Sequence, residues 1–157
     1  MTIFSARLTI NMEKWLMISG ECFCGEIKFE IDGVLGQTTS CHCSRCRKAF
    51  SAQASAAARV EPGQFRWVAG ADKLASYVGE HGFGIGFCSR CGSTLCTLYE
   101  GAVYQVTLGC VNGDPQVGID RHIFVGSKAA WETFPEDLPP GTAAYAEGPT
   151  ADDAAPA

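Results

Sequence analysis

Nine cysteines fall in 157 residues, and seven of them sit in three short clusters: Cys22-Phe23-Cys24-Gly25, Cys41-His42-Cys43-Ser44-Arg45-Cys46 and Cys88-Ser89-Arg90-Cys91-Gly92. No other feature restricts the fold as much. A Cys-x-Cys or Cys-x-x-Cys turn places two sulfurs on one ion, and zinc takes four such soft ligands in a tetrahedron. A disulfide framework fits less well. The number of cysteines is odd, and the start, MTIFSARLTINMEKWLMISG, holds only Trp15 to Ile18 as an apolar run, too short for a secretory signal. A reducing, cytoplasmic location is therefore expected, where such a cysteine density points to metal or redox chemistry.

Glycine positions suggest how the sulfurs divide. Gly25 and Gly92 each follow the second cysteine of a knuckle, where a positive φ lets the backbone curl behind the ion. These two knuckles are expected to face each other, with Cys22, Cys24, Cys88 and Cys91 closing one site. In the middle cluster Arg47 follows Cys46 and the chain runs on into a helical stretch, leaving Cys41, Cys43 and Cys46 for a second ion. Three protein ligands and a free fourth position mark a catalytic or ligand-accepting site, whereas four mark a structural one. Arg45, Arg47 and Lys48 would offset the thiolate charge there. A second pairing stays open, in which the two Cys-Ser-Arg-Cys knuckles share an ion and Cys22, Cys24 and Cys41 are left over. Cys96 and Cys110 lie in strand-like segments and are expected as small buried hydrophobes. His42, in an extended segment, points away from its flanking sulfurs and is expected to pack or support rather than ligate. His81 and His122 have no partner visible in the sequence.

The rest of the chain reads as short strands. Alternation runs through Ile27, Phe29 and Ile31, through Phe65 and Trp67, through Phe83, Ile85 and Phe87, from Val103 to Leu108, and from Ile123 to Val125, with turns at Asp32-Gly33, Pro62-Gly63 and Asn112-Gly113. Helix is expected only over Arg45 to Ser55 and briefly over Ser127 to Trp131. The glycines from Gly82 to Gly86 lack the strand and helix context of a phosphate loop and are expected to allow close backbone packing. This predicts a mainly β fold of short antiparallel sheets. The expected organisation is an N-terminal extension over 1–17, one domain over 18–139 and a disordered acidic tail over 140–157. Residues from 129 onward carry six acids and no Lys or Arg, so the net charge of −5 conceals a near-neutral remainder of 12 basic against 11 acidic residues. That leaves no basic footprint for nucleic acid, and no apolar run approaches a membrane span.

Four motifs in order resemble a known family. They are Gly20-Glu21-Cys22-Phe23-Cys24-Gly25, Cys41-His42-Cys43-Ser44-Arg45-Cys46-Arg47-Lys48, Phe87-Cys88-Ser89-Arg90-Cys91-Gly92-Ser93, and the run from Arg121 to Trp131 followed by Glu136-Asp137-Leu138-Pro139. Over about 18–139 the chain is similar to glutathione-dependent formaldehyde-activating enzymes, the group that shares its domain with centromere protein V. The resemblance implies a β-tent fold, two zinc ions per chain, a structural one on Cys22, Cys24, Cys88 and Cys91, and a more labile one on Cys41, Cys43 and Cys46. It implies a carbon-sulfur lyase that joins glutathione, as cosubstrate, to formaldehyde or a similar small aldehyde, with Arg45, Arg47 or Lys48 on a glutathione carboxylate. The expected partners are then a small thiol and an aldehyde, with homo-oligomerisation left open. Two other readings compete: a non-catalytic zinc module that binds a thiol or protein partner, and a redox sensor whose open site releases zinc on oxidation.

Overall fold

The computed structural model describes residues 17–147. In chain order the elements are β1 (Met17–Glu21), β2 (Lys28–Asp32), β3 (Thr38–Cys41), α1 (Ser44–Phe50), β4 (Ser55–Arg59), β5 (Phe65–Ala69), β6 (Leu74–Val78), β7 (Phe83–Cys88), β8 (Thr94–Tyr99), β9 (Ala102–Thr107), β10 (Arg121–Ile123) and β11 (Ala143–Ala144). Three strands form a small sheet in the order β1-β2-β5, and eight form a large one in the order β11-β10-β3-β4-β9-β8-β7-β6. Pairing is antiparallel except at β10, which runs parallel to both β3 and β11. The fold is mainly β. No helix among the described residues is long and apolar enough to cross a membrane.

The core lies between the two sheets. From the small sheet come Ile18, Phe29 and Ile31; from the large one come Ala58, Leu95 and Val106, with Cys22 and Cys88 in the same cluster. Period-2 alternation explains the small sheet, since Phe29 and Ile31 are fully buried while Lys28 and Asp32 between turns face solvent. Phe29 stacks on Phe65 at 5.3 Å and meets Trp67 edge-on at 6.2 Å. Burying such a side chain contributes roughly 1.5–3 kcal/mol. In the large sheet, β3 is buried at all four positions although it reads Thr-Thr-Ser-Cys. Its polar groups are satisfied internally: Thr38 Oγ1 donates to the Gly118 carbonyl at 2.6 Å and accepts from Asp120 N at 2.8 Å.

Several expectations change. The helix expected over Arg45 to Ser55 is α1 alone, because Ser51 adopts a left-handed conformation at φ 50 and Ser55 opens β4. Between Ser127 and Trp131 only the end of a single turn, Val125–Ser127, is helical. Cys110 closes a short turn, Leu108–Cys110, rather than lying in a strand. Residues 140–147, expected to open a disordered tail, run beside β10, with Ala143 N donating to Asp120 O, Tyr145 N to His122 O and Phe124 N to Glu147 O. Backbone pairing needs no apolar side chain, so a composition of Ala, Gly and Thr gave no sign of it. The remaining tail, 148–157, and residues 1–16 of the expected extension lie outside the described residues.

At Gly20, β1 packs tightly against Phe29 of its own sheet and against the Leu108–Cys110 turn. A Cβ built there would overlap the Phe29 ring and the Cys110 carbonyl. Neither can yield, one being fully buried and the other backbone. Gly20→Ala is therefore expected to destabilise the domain by about 1–3 kcal/mol. The measurement is a lowered urea midpoint at unchanged slope. Gly118→Ala, where an added Cβ meets nothing within 4 Å, serves as the neutral control.

Candidate metal centres

The first sulfur group forms where β1 and β7 end. Gly25, at φ 74, donates its N–H to the Cys22 carbonyl at 2.8 Å, and Gly92, at φ 78, donates to the Cys88 carbonyl at 2.8 Å. Both turns curl as a residue free of a Cβ permits. The knuckles are locked together by Ser93, whose Oγ accepts from Phe23 N at 2.9 Å and lies 3.4 Å from Cys91 Sγ. The Sγ atoms of Cys22, Cys24, Cys88 and Cys91 all lie within 4.8 Å of one another. Two of the separations are 3.5 Å and 3.9 Å, for Cys22 to Cys24 and Cys24 to Cys88. A tetrahedron with metal–sulfur bonds of about 2.3 Å requires about 3.8 Å between sulfurs, so this set fits zinc. Cys91 is held down to about 6, chiefly by the Ser93 hydroxyl, so one thiolate is already available near neutral pH.

The second group is Cys41, Cys43 and Cys46, again within 4.8 Å of one another. Cys41 ends β3, Cys43 caps α1, and Cys46 sits in its first turn, with Cys46 N donating to Cys43 Sγ at 3.4 Å. The Cys41 thiol shares its proton with Cys46, which raises Cys41 and, with help from Cys43 and Ser55 against burial, lowers Cys46 to about 6. Among the described residues no fourth His, Cys, Asp or Glu joins this set. The donor set therefore suits an ion with one coordination position to spare.

A cleft of about 470 Å³ lies against the same helix, lined by Ser44, Arg47, Lys48, Ser51, Gln53 and Trp131 and by none of the three cysteines. Trp131 is 75% exposed, and the Arg47 guanidinium lies 5.7 Å from its ring centre. One Arg47 nitrogen donates to Ser127 O, but its Nε is buried without a partner. Of the three basic residues expected at a bound thiol, Arg47 and Lys48 line the cleft. Arg45, exposed on the same helix, does not.

The remaining candidates divide. Cys96 is fully buried, and burial pushes its thiol up to about 12; Cys110 is half-buried against the core and pushed up to about 11 for the same reason. His42 is buried and turned away from the sulfurs, and its Nε2 lies 2.9 Å from His122 Nδ1. His42 Nδ1 meets Glu132 at 3.0 Å. This Glu132-His42-His122 chain spans 80 and 90 residues of sequence, and only the Arg121 to Trp131 motif hinted that the two ends belong together. Burial, then the neighbouring His42, lower the pKa of His122.

Comparison with known proteins places this geometry. A crystal structure of a Rhodobacter sphaeroides protein, solved in structural genomics, is similar at a TM-score of 0.52 and 26% identity, over 61% of this chain and 89% of that one. No curated protein matches the chain. The family described as glutathione-dependent formaldehyde-activating enzyme matches residues 17–127, a span that holds all seven clustered cysteines. With that match and both sulfur groups in place, the chain belongs to the glutathione-dependent formaldehyde-activating enzyme family.

Proposed function

We propose that the chain is a zinc-dependent carbon-sulfur lyase of this family's type, joining a glutathione-like thiol to formaldehyde or a similar small aldehyde. The observation that carries this reading is the three-sulfur group, short of a fourth ligand, at a helix whose other face lines a cationic cleft. The four-sulfur group would hold a structural ion, since its two most buried members, Cys22 and Cys88, belong to the core itself.

Cys41, Cys43 and Cys46 act here as ligands, not as nucleophiles. A zinc ion in that group would supply the positive charge that keeps an incoming thiol ionised at neutral pH. The chain's own part is to bind and orient. Arg47 and Lys48, which line the cleft, offer charge-assisted donors to a carboxylate of the thiol substrate, and Trp131 offers a flat wall. In the net reaction the S–H bond of the thiol adds across the aldehyde carbonyl. A carbon-sulfur bond forms, the carbon-oxygen π bond breaks, and the proton ends on the new hydroxyl. Carbon-sulfur cleavage is the same step reversed.

Two measurements test this. With cobalt in place of zinc, glutathione is expected to change the sulfur-to-metal charge-transfer bands, saturating at one equivalent per chain. The change should vanish in Cys43→Ser, and Arg47→Ala should weaken the titration about tenfold, the effect of losing one charge-assisted hydrogen bond. A spectrum indifferent to every thiol would remove the substrate-binding role. Separately, mild chelation that empties only the open group should, at pH 7.5, leave Cys46 the fastest maleimide target among Cys41, Cys43 and Cys46, because its lowered pKa keeps it ionised. Its labelling rate should fall as pH drops through about 6. Cys96, held protonated by burial, should react only after denaturation, as read by mass spectrometry.

A further inference from the structure

The open sulfur group has little support from its own segment. α1 is seven residues long and buries none of them. Between His42 and Phe50, His42 is the one fully buried side chain. It stands directly between two of the three sulfurs. Whatever holds this imidazole also holds the backbone from which Cys41 and Cys43 project.

Four residues from distant parts of the chain hold it, with Ser40 from its own strand. Its backbone N–H donates to Ile123 O at 2.9 Å. Its Nδ1 meets both Glu132 oxygens, at 3.0 and 3.1 Å. Its Nε2 lies 2.9 Å from His122 Nδ1 and 3.3 Å from Ser40 Oγ. Phe134 closes the pocket edge-on against both imidazoles, at 5.4 and 5.1 Å. The Glu132 carboxylate is 4% exposed and meets no lysine or arginine among the described residues, so His42 is its charged or hydrogen-bonding counterpart. A buried carboxylate costs several kcal/mol to desolvate when poorly paired, which makes this a demanding way to fill space.

We propose that Glu132 is a positioning residue for the second ion: acting through His42, it fixes the spacing of Cys41 and Cys43 and so sets how tightly the open site retains metal. The inference rests on the reading of Cys41, Cys43 and Cys46 as a zinc site. It assigns Glu132 no contact with ion or substrate. Hydrogen-bonded partners one step behind metal ligands usually account for a 10- to 100-fold change in affinity, and here the step runs through backbone instead of through a ligating ring.

The test measures release of each ion to a chromogenic chelator from the intact, fully loaded chain. Glu132→Ala is expected to release the second ion 10- to 100-fold faster and the first at the wild-type rate. Glu132→Gln, whose amide oxygen still accepts from His42, should return the second rate to within about threefold of wild type. His122→Phe, which keeps the ring and removes the nitrogen on the other side of His42, should accelerate the second release by less than Glu132→Ala. The inference is overturned if Glu132→Ala leaves the second rate unchanged, or if Gln rescues no better than Ala. It is also overturned if both ions leave faster in the same proportion or Glu132→Ala does not fold, since Glu132 would then support the whole domain. A wild-type chain that takes up one ion only would instead defeat the underlying two-site reading.

Discussion

The contact between sulfur and core governs this molecule. Cys22 and Cys88 are 2% and 0% exposed and lie in one cluster with Phe29, Ile31, Leu95 and Val106. The four-sulfur group therefore sits on the seam where the three-stranded sheet meets the eight-stranded one. Seating an ion there joins the end of β1 to the end of β7, 64 residues apart between Cys24 and Cys88. An ion held there would close so long a loop and tie together the two sheets that share this core.

The second sulfur group depends on the first only indirectly. It hangs from β3, whose place in the sheet is set by β4 on one side and β10 on the other. The parallel pairing of β10 with β3 puts Ile123 opposite Cys41 and His122 opposite Ser40, and this register is what delivers His122 to His42. Thr38, bonded to Gly118 and Asp120, pins the entry to β10 and so protects that register. Rigidity thus comes from sheet hydrogen bonds at one end of the segment and from the imidazole pair at the other.

Much of this was legible from residue order. Alternating apolar residues announced β2, β5, β7 and β9, and the glycines after Cys24 and Cys91 announced which knuckles curl alike. β3 and β4 were not, because Thr-Thr-Ser-Cys and Ser-Ala-Ala-Ala-Arg are buried with side chains too small or too polar to show an apolar stripe. β1 alternates in burial but not in residue type, with Met17 exposed and Gly20 buried, and β6 has no buried position to set a pattern. The imidazole chain could not be read at all, since partners separated by 80 and 90 residues meet only once the sheet has formed. Composition even misled: Glu132 counts among the acids of the C-terminal third, yet it is buried at 7% and belongs to the interior.

Trp131 and Glu132 are neighbours with opposite fates. One lies out over the cleft beside α1, and the other turns in beneath His42. A single stretch of backbone thus carries both a wall of the cleft and the partner of His42. The two traits are pleiotropic by construction. If the cleft receives the thiol and Glu132 props the sulfur group as proposed, remodelling this stretch for a different thiol would also alter metal retention. On the proposed reading Gln53, which lines the cleft beyond the end of α1 and away from both His42 and the sulfur-bearing helix, is where substrate preference has most room to drift.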